Sequence, residues 1–457
     1  MGFGENFRPR LPSRNWTIFL TITGGITAAV IYDKRETRRA QRKWQKVVEH
    51  LAKEPIGDSK QMPRKLMVYI EAPPQDGLRL AQDHFKEYVK PVLVASGLDW
   101  DFVQGRKEGD VRAELAEDIR KHRMLHEGMI EEDDPVLVNR SVNGSIPYQG
   151  PLGDIVVGRH TWKEYIRGLH EGWLGPLVEP PKPIVEAPAP TEAEAAAAAA
   201  AADEKAATEK KGEEENVLPG ITIHENTVKE DPEPVETPKE EKKPEKKKQP
   251  QPWISTADYA AAALPSNLPQ EFDPSVPIAQ PHILGFLNTH IRMYRFFTRR
   301  RLADQIGRDV AAIVLAHSRP YHTVSSEPGS AFAPEIEGDG GVVNDEADKA
   351  EQVVALKQEE KEWHKLVHKP LEDLTKERTW TDEMVLDPRI AGRMRRAELS
   401  ADDEARANDL AQTITEEEVE GWIKRNIRAG YRGTKKYFEK KPPAPADGLV
   451  EEDSNKE

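Results

Sequence analysis

WTIFLTITGGITAAVIY, residues Trp16 to Tyr32, is a run of seventeen residues without a charge. Arg8, Arg10 and Arg14 precede it; Lys34, Arg35, Arg38, Arg39, Arg42, Lys43 and Lys46 follow it. A helix crosses a bilayer with about 17–25 mostly apolar residues, so the run is just long enough. Trp16 and Tyr32 mark its ends, where amphipathic rings favour the headgroup level. No other stretch is long or apolar enough to span, and the expectation is a single-pass anchor with the soluble chain on one side.

Other readings of the run fit less well. A secretory signal has an apolar core of about 7–15 residues and a small-residue cleavage site. Here Ile31-Tyr32 passes straight into a basic helix. A buried core helix is the remaining alternative, since Gly24-Gly25 and the threonines temper the hydrophobicity. Threonine can return its hydroxyl to a helix carbonyl, which makes it tolerable in lipid. Myristoylation at Gly2 would need Ser or Thr where Asn6 stands.

The chain has 457 residues, 37% hydrophobic and 32% charged, with a net charge of −14 and no cysteine. Length allows two or three domains. The acidic balance speaks against a nucleic-acid partner, because phosphate affinity comes from Lys and Arg. Without cysteine there are no disulfides, thiolate metal sites or cysteine nucleophiles.

Outward from the anchor, Lys34 to Lys53 continues as a basic helix with Trp44, Val47, Val48 and Leu51 near one face, either a solvated stalk or a segment drawn to anionic lipid. Lys65 to Ile70 reads as a strand, Leu78 to Ala95 as an amphipathic helix, Leu98 to Val103 as a second strand and Asp110 to Leu125 as a helix. Asp154 to Gly158 is a third strand, followed by a helix from Thr161, its N-cap, to Gly172. This β-α order implies parallel strands joined by helices. Ile283 to Leu287 reads as a strand or buried turn, and Leu302 to Ala316, Ala350 to His368 and Thr415 to Phe438 as helical. Trp380 to Arg396 forms an arm.

The organisation expected is therefore a basic segment at 1–15, a transmembrane helix at 16–32 and a basic juxtamembrane helix or stalk at 33–61. A soluble α/β domain at 62–177 follows, then a disordered Pro/Ala/Glu/Lys linker at 178–252, with eight alanines from Ala195 to Ala202, whose composition cannot repay the entropy of ordering. A mostly helical C-terminal region spans 253–440, with an acidic loop near 325–348, and 441–457 is a disordered tail.

Motifs for chemistry are lacking. The turn Glu71 to Gly77 has two prolines and one glycine, where a phosphate-binding turn needs G-x-G-x-x-G or G-x-x-x-x-G-K-[ST]. His364 and His368 would share a helix face, but Lys365 and Leu366 replace the glutamate of H-E-x-x-H. His160, His170, Asp99 and Asp101 have no ligand set or partner acid around them. No catalytic residue, metal or cofactor is expected.

Cations and rings concentrate in two places. Arg292, Tyr294, Arg295, Arg299, Arg300 and Arg301 form one; Trp422, Lys424, Arg425, Arg428, Tyr431 and Arg432 belong to the other, which runs to Lys440. Such segments lie on anionic membrane or dock on an acidic partner. The plainer alternative makes the rings core and the cations a wet face.

Four segments, LPSRNWTIFLTITGGITAAVIYDKRE (11–36), MPRKLMVYIEAPPQDGL (62–78), GFLNTHIRMYRFFTRRRLADQIGRDVAAIVLA (285–316) and DEMVLDPRIAGRMRRAEL (382–399), resemble the fungal Tim fifty-four family. That family is a subunit of the carrier translocase of the mitochondrial inner membrane. The resemblance implies a large domain in the intermembrane space that helps hold the small-chaperone complex to the translocase, so that multi-spanning carrier proteins are inserted. It implies protein partners and inner-membrane lipid, no small-molecule substrate and no active site. The basic, acid-poor start suits mitochondrial targeting.

Charge bias points the other way. Residues 33–47 hold seven basic and two acidic side chains, against three and one in 1–15. The positive-inside rule would keep the C-terminal flank in the matrix. A second functional reading is an anchored assembly factor for another inner-membrane complex, such as a protease.

Overall fold

The computed structural model describes residues 13–55, 58, 60–130, 135–180, 250–322, 350–369, 377–420, 425–426 and 428–432. The start of the chain, nearly all of the linker, the acidic loop, the tail, Trp422 and Lys424 lie outside these residues.

Helix α1 is one uninterrupted piece, Arg14–Val48. Its first half is the apolar run, whose side chains are largely exposed, with Arg300 5.3 Å over the ring of Tyr32 at its end. The threonines return their hydroxyls to the helix as expected, Thr21 to Thr17 O and Thr23 to Phe19 O at 2.7 Å. Beyond Tyr32 the helix is no free stalk: Trp44, Val47 and Val48 are buried in the core.

The chain then alternates β1 (Lys65–Glu71), α2 (Leu78–His84), α3 (Lys90–Ser96), β2 (Asp99–Gly105), α4 (Asp110–His126), α5 (Pro135–Val142), β3 (Asp154–Val157) and α6 (Arg159–Leu174). A π turn, Phe85–Val89, joins α2 to α3. After the linker come β4 (Pro274–Ile278), α7 (Thr289–Phe296), α8 (Arg299–Val314), β5 (Ser318–Pro320), α9 (Glu351–Val354), α10 (Lys357–Glu362), α11 (Pro388–Ala391), β6 (Arg395–Ala397), α12 (Ala401–Gln412) and α13 (Glu416–Val419).

The α/β reading holds, and its sheet extends further than residues 62–177. One six-stranded sheet has the order β2-β1-β3-β4-β6-β5, so segments on both sides of the linker contribute strands. All pairs are parallel except β5 with β6. The described residues before the linker and those after it belong to one compact unit. A parallel sheet needs both faces covered. Leu66, Val68 and Ile70 face α2, α3, α8 and the end of α1; Tyr69 and Val156 face α4 and α6.

Several local expectations change. Helix α6 starts two residues before Thr161, with Gly158 as its cap at φ +90°. A side chain there would stand 2.7 Å from His160 Cε1, so the turn requires glycine. Ile283 to Leu287 is neither strand nor buried turn: Gly285, at φ +105°, opens an exposed single turn over Phe286–Asn288. Leu356, at φ +59°, splits the helical region after Ala350 into α9 and α10. His364 and His368 follow α10 and share no helix face.

Candidate functional site

The described residues of the two cation-aromatic segments lie near the second half of α1. Helix α8 packs parallel to it. Arg300 donates to Asp33 at 3.3 Å, Trp44 Nε1 to Asp304 at 2.8 Å, and Gly307 lies under the Trp44 ring. A Cβ at Gly307 would stand 2.8 Å from Trp44 Cγ, so this close approach depends on glycine. Arg64, just before β1, donates to the Ile313 and Val314 carbonyls at 2.7 Å, which places the end of α8 at the amino ends of the strands. The strands thus run opposite to α1, and their carboxyl ends point back toward Tyr32.

Helix α13 covers another face of α1. Glu416 pairs with Arg35 and, at 2.7 Å, with Arg39; Glu418 pairs with Arg42 at 3.2 Å and Lys46 at 3.0 Å. Partial burial pushes the Glu418 carboxyl up, but Lys46 and Arg42 outweigh it and hold the group below its ordinary range. Lys43 reaches Asp304 at 3.5 Å. Five of the seven juxtamembrane cations are therefore engaged by carboxylates of the folded unit.

In the first cation-aromatic segment the rings are at the surface. Tyr294 is 59% exposed, and Phe286 and Leu287 just before it are 90% and 86% exposed. Arg295 pairs with Glu362, Arg299 stands 5.0 Å over the Phe296 ring, and Arg300 stands 5.3 Å over the ring of Tyr32. Arg301 lies 3.4 Å from the Tyr294 hydroxyl. Arg292 is exposed and has no ion pair among the described residues. In the second segment Arg428 and Arg432 pair with Glu417, and Arg428 also with Glu420, while Arg425 and Tyr431 are exposed. Both segments thus meet α1, one directly through Arg300 and the other by way of α13.

Sequence reasoning missed the carboxyl edge of the sheet. In open α/β sheets ligands sit there, where the strand order reverses, with anions on helix N-termini. Here the chain fills that place itself. The Glu359 carboxylate accepts from Arg159 N at 3.0 Å, in the first turn of α6, and from Gln280 N at 2.6 Å. A phosphate would have to displace it. Trp380 Nε1 donates to Glu164 at 2.9 Å, and Lys163 reaches Glu360 at 3.2 Å. Burial pushes Glu71 up, aided by the neighbouring Glu164, and neither Glu71 oxygen has a partner within hydrogen-bond geometry among the described residues. Burial lowers His160 and His170 to about 4, so both imidazoles are neutral. His170 accepts from Asp387 N at 3.0 Å, as a structural histidine does. These groups are far apart in sequence and lack motif spacing, so nothing short of the fold brings them together.

A helix long and apolar enough to cross a membrane, running without a break into an α/β unit, defines a class of protein with one candidate N-terminal span and a folded domain at its end. Residues 1–397 match the family model described as inner membrane protein import complex subunit Tim54. Among curated proteins, the mitochondrial import inner membrane translocase subunit tim54 of Aspergillus oryzae is 45% identical over 457 residues, covering 96% of this chain and 97% of that protein. Its namesake in Neurospora crassa is 46% identical, covering 97% and 89%, and that of Schizosaccharomyces pombe 28% identical, covering 73% and 86%. The chain belongs to this family of inner membrane import complex subunits.

Proposed function

We propose that the protein is a non-enzymatic subunit of the mitochondrial inner-membrane translocase that inserts multi-spanning carrier proteins. It acts as an intermembrane-space docking platform for the small-chaperone complex, with no cofactor and no small-molecule substrate. The observation that carries this reading is the fusion of α1 to the α/β unit through Trp44, Gly307 and Asp304, which holds the platform at a fixed height over the bilayer. The engagement of five juxtamembrane cations by Glu416, Glu418 and Asp304 supports the orientation, because charges already paired within the folded unit are less available to hold this flank in the matrix. Arg425 and Tyr431, exposed beside the acidic α13, are the proposed protein-contact region.

Protease protection of a C-terminal tag tests the topology. Digestion in mitoplasts but not in intact mitochondria is expected; protection in both would place the unit in the matrix and refute the reading. Purification in mild detergent tests the partner. Recovery of a protease complex in place of the carrier translocase would favour the assembly-factor alternative.

A further inference from the structure

The connection from β4 to α8 leaves the carboxyl edge of the sheet and enters α8 at Arg299, beside Tyr32. Two independent contacts fix its level. Arg300 against Asp33 and Tyr32 sets the start of α8 at the end of the apolar run. Arg64 against the end of α8 shows that the strands' carboxyl ends point the same way. Everything between Gln280 and Arg299 is thus on the membrane side of the unit. The seventeen-residue run rises only about 26 Å as a helix. That is shorter than a hydrocarbon core of about 30 Å, and a short span draws its flanks into the interface.

The chemistry of this connection suits that place. Phe286 and Leu287, at the tip of the turn opened by Gly285, are the most exposed large apolar side chains among the described residues, and Met293 and Tyr294 continue the surface on α7. Soluble surfaces seldom leave such a group uncovered. Arg292 and Arg301, without ion pairs among the described residues, flank it. Rings and aliphatics edged by arginine are the composition of segments that lie in the headgroup layer, where guanidinium groups pair with phosphate.

We propose that residues 286–301 are a membrane foot: Phe286, Leu287, Met293 and Tyr294 dip into the leaflet nearest the α/β unit, with Arg292 and Arg301 on lipid phosphates. This rests on the reading that α1 crosses the inner membrane. The foot would give the platform a second attachment, limiting its rotation and tilt about α1.

The lack of cysteine makes the test clean. The full chain carrying Phe286→Cys, Ile22→Cys or Val94→Cys is labelled with a fluorophore and reconstituted in phosphatidylcholine–phosphatidylglycerol vesicles. Each label is then challenged with aqueous iodide and with a spin-labelled lipid. All three side chains are exposed, so the fold tolerates the substitutions. Val94, beside Arg42 and Gln45 further along α1, is the aqueous control. The label at 286 should lose iodide quenching and gain lipid quenching, like 22 and unlike 94. If 286 behaves like 94 while 22 is in lipid, the foot is overturned and the span stands. If 22 is itself aqueous, both fall. Protection from iodide without lipid quenching means that protein covers the tip, and overturns the foot. Arg292→Gln with Arg301→Gln should weaken lipid quenching at 286; unchanged quenching removes the arginines from the proposal.

Discussion

Gly307→Ala tests the weld between the membrane helix and the platform. In an exposed helix interior this change would stabilise by about 0.8–1 kcal/mol. At Gly307 the new methyl would stand 2.8 Å from Trp44 Cγ and 3.1 Å from its Nε1. The indole has nowhere to retreat, being 2% exposed and tied to Asp304. Overpacking costs about 1–3 kcal/mol, and losing the Trp44–Asp304 bond adds about 0.5–1.5 kcal/mol. The balance is a loss of about 0.5–3.7 kcal/mol, or about 2–4 °C of Tm per kcal/mol for a unit of this size. Thermal unfolding of the full chain in detergent measures it. Gly24→Ala and Gly25→Ala, where nothing lies within 4 Å of the new methyl, should leave Tm unchanged or raise it. Trp44→Leu should make room, so that adding Gly307→Ala to it costs less by at least about 0.5 kcal/mol than Gly307→Ala alone. A Gly307→Ala protein as stable as wild type, or an additive pair, would refute the seam as described.

Two further outcomes follow from the electrostatics. Glu416→Lys with Glu418→Lys breaks the pairs with Arg35, Arg39, Arg42 and Lys46, each at least partly exposed and worth about 0.2–1 kcal/mol. The C-terminal segment should then be cut faster by limited proteolysis, and salt should speed cleavage of wild type but not of the variant; salt-independent wild-type cleavage would show that the pairs hold nothing. Glu71→Gln addresses the buried carboxyl, whose folded pKa lies above its unfolded value of 4.5, so the stability it contributes at low pH is lost as pH rises. The variant should match wild type near pH 4.5 and exceed it by about 1–3 kcal/mol near pH 8; a difference independent of pH in denaturant titrations would refute the assignment.

Legibility in the sequence followed the range of the forces involved. Strands β1 and β3 were readable because Leu66 to Ile70 and Ile155 to Val157 are continuous apolar runs, and α8 because its apolar stripe repeats at helical spacing. Strand β4 was not readable: PSVPI carries two prolines, Pro274 tolerated as the first residue of the strand and Pro277 because the pairing with β6 ends at Ser275. Strands β5 and β6, of three residues each, are below any periodic signal. Of the site, the arginines and rings of 291–301 were plain from composition. Their place beside α1 was not, since it depends on Trp44 meeting Asp304 across 260 residues.

That same contact bears on the charge bias. The positive-inside rule counts cations as though each were free to interact with the membrane during insertion. Arg35, Arg39, Arg42, Lys43 and Lys46 instead face carboxylates from α8 and α13 once the chain has folded, which leaves Lys34 and Arg38 as the juxtamembrane cations with no ion pair among the described residues. A basic helix that serves as the inner face of a salt-bridged seam reports on the fold as much as on the leaflet. The sequence pattern that reads as a topology signal is thus one that packing also uses, since the same cations receive the acids that close the unit around α1.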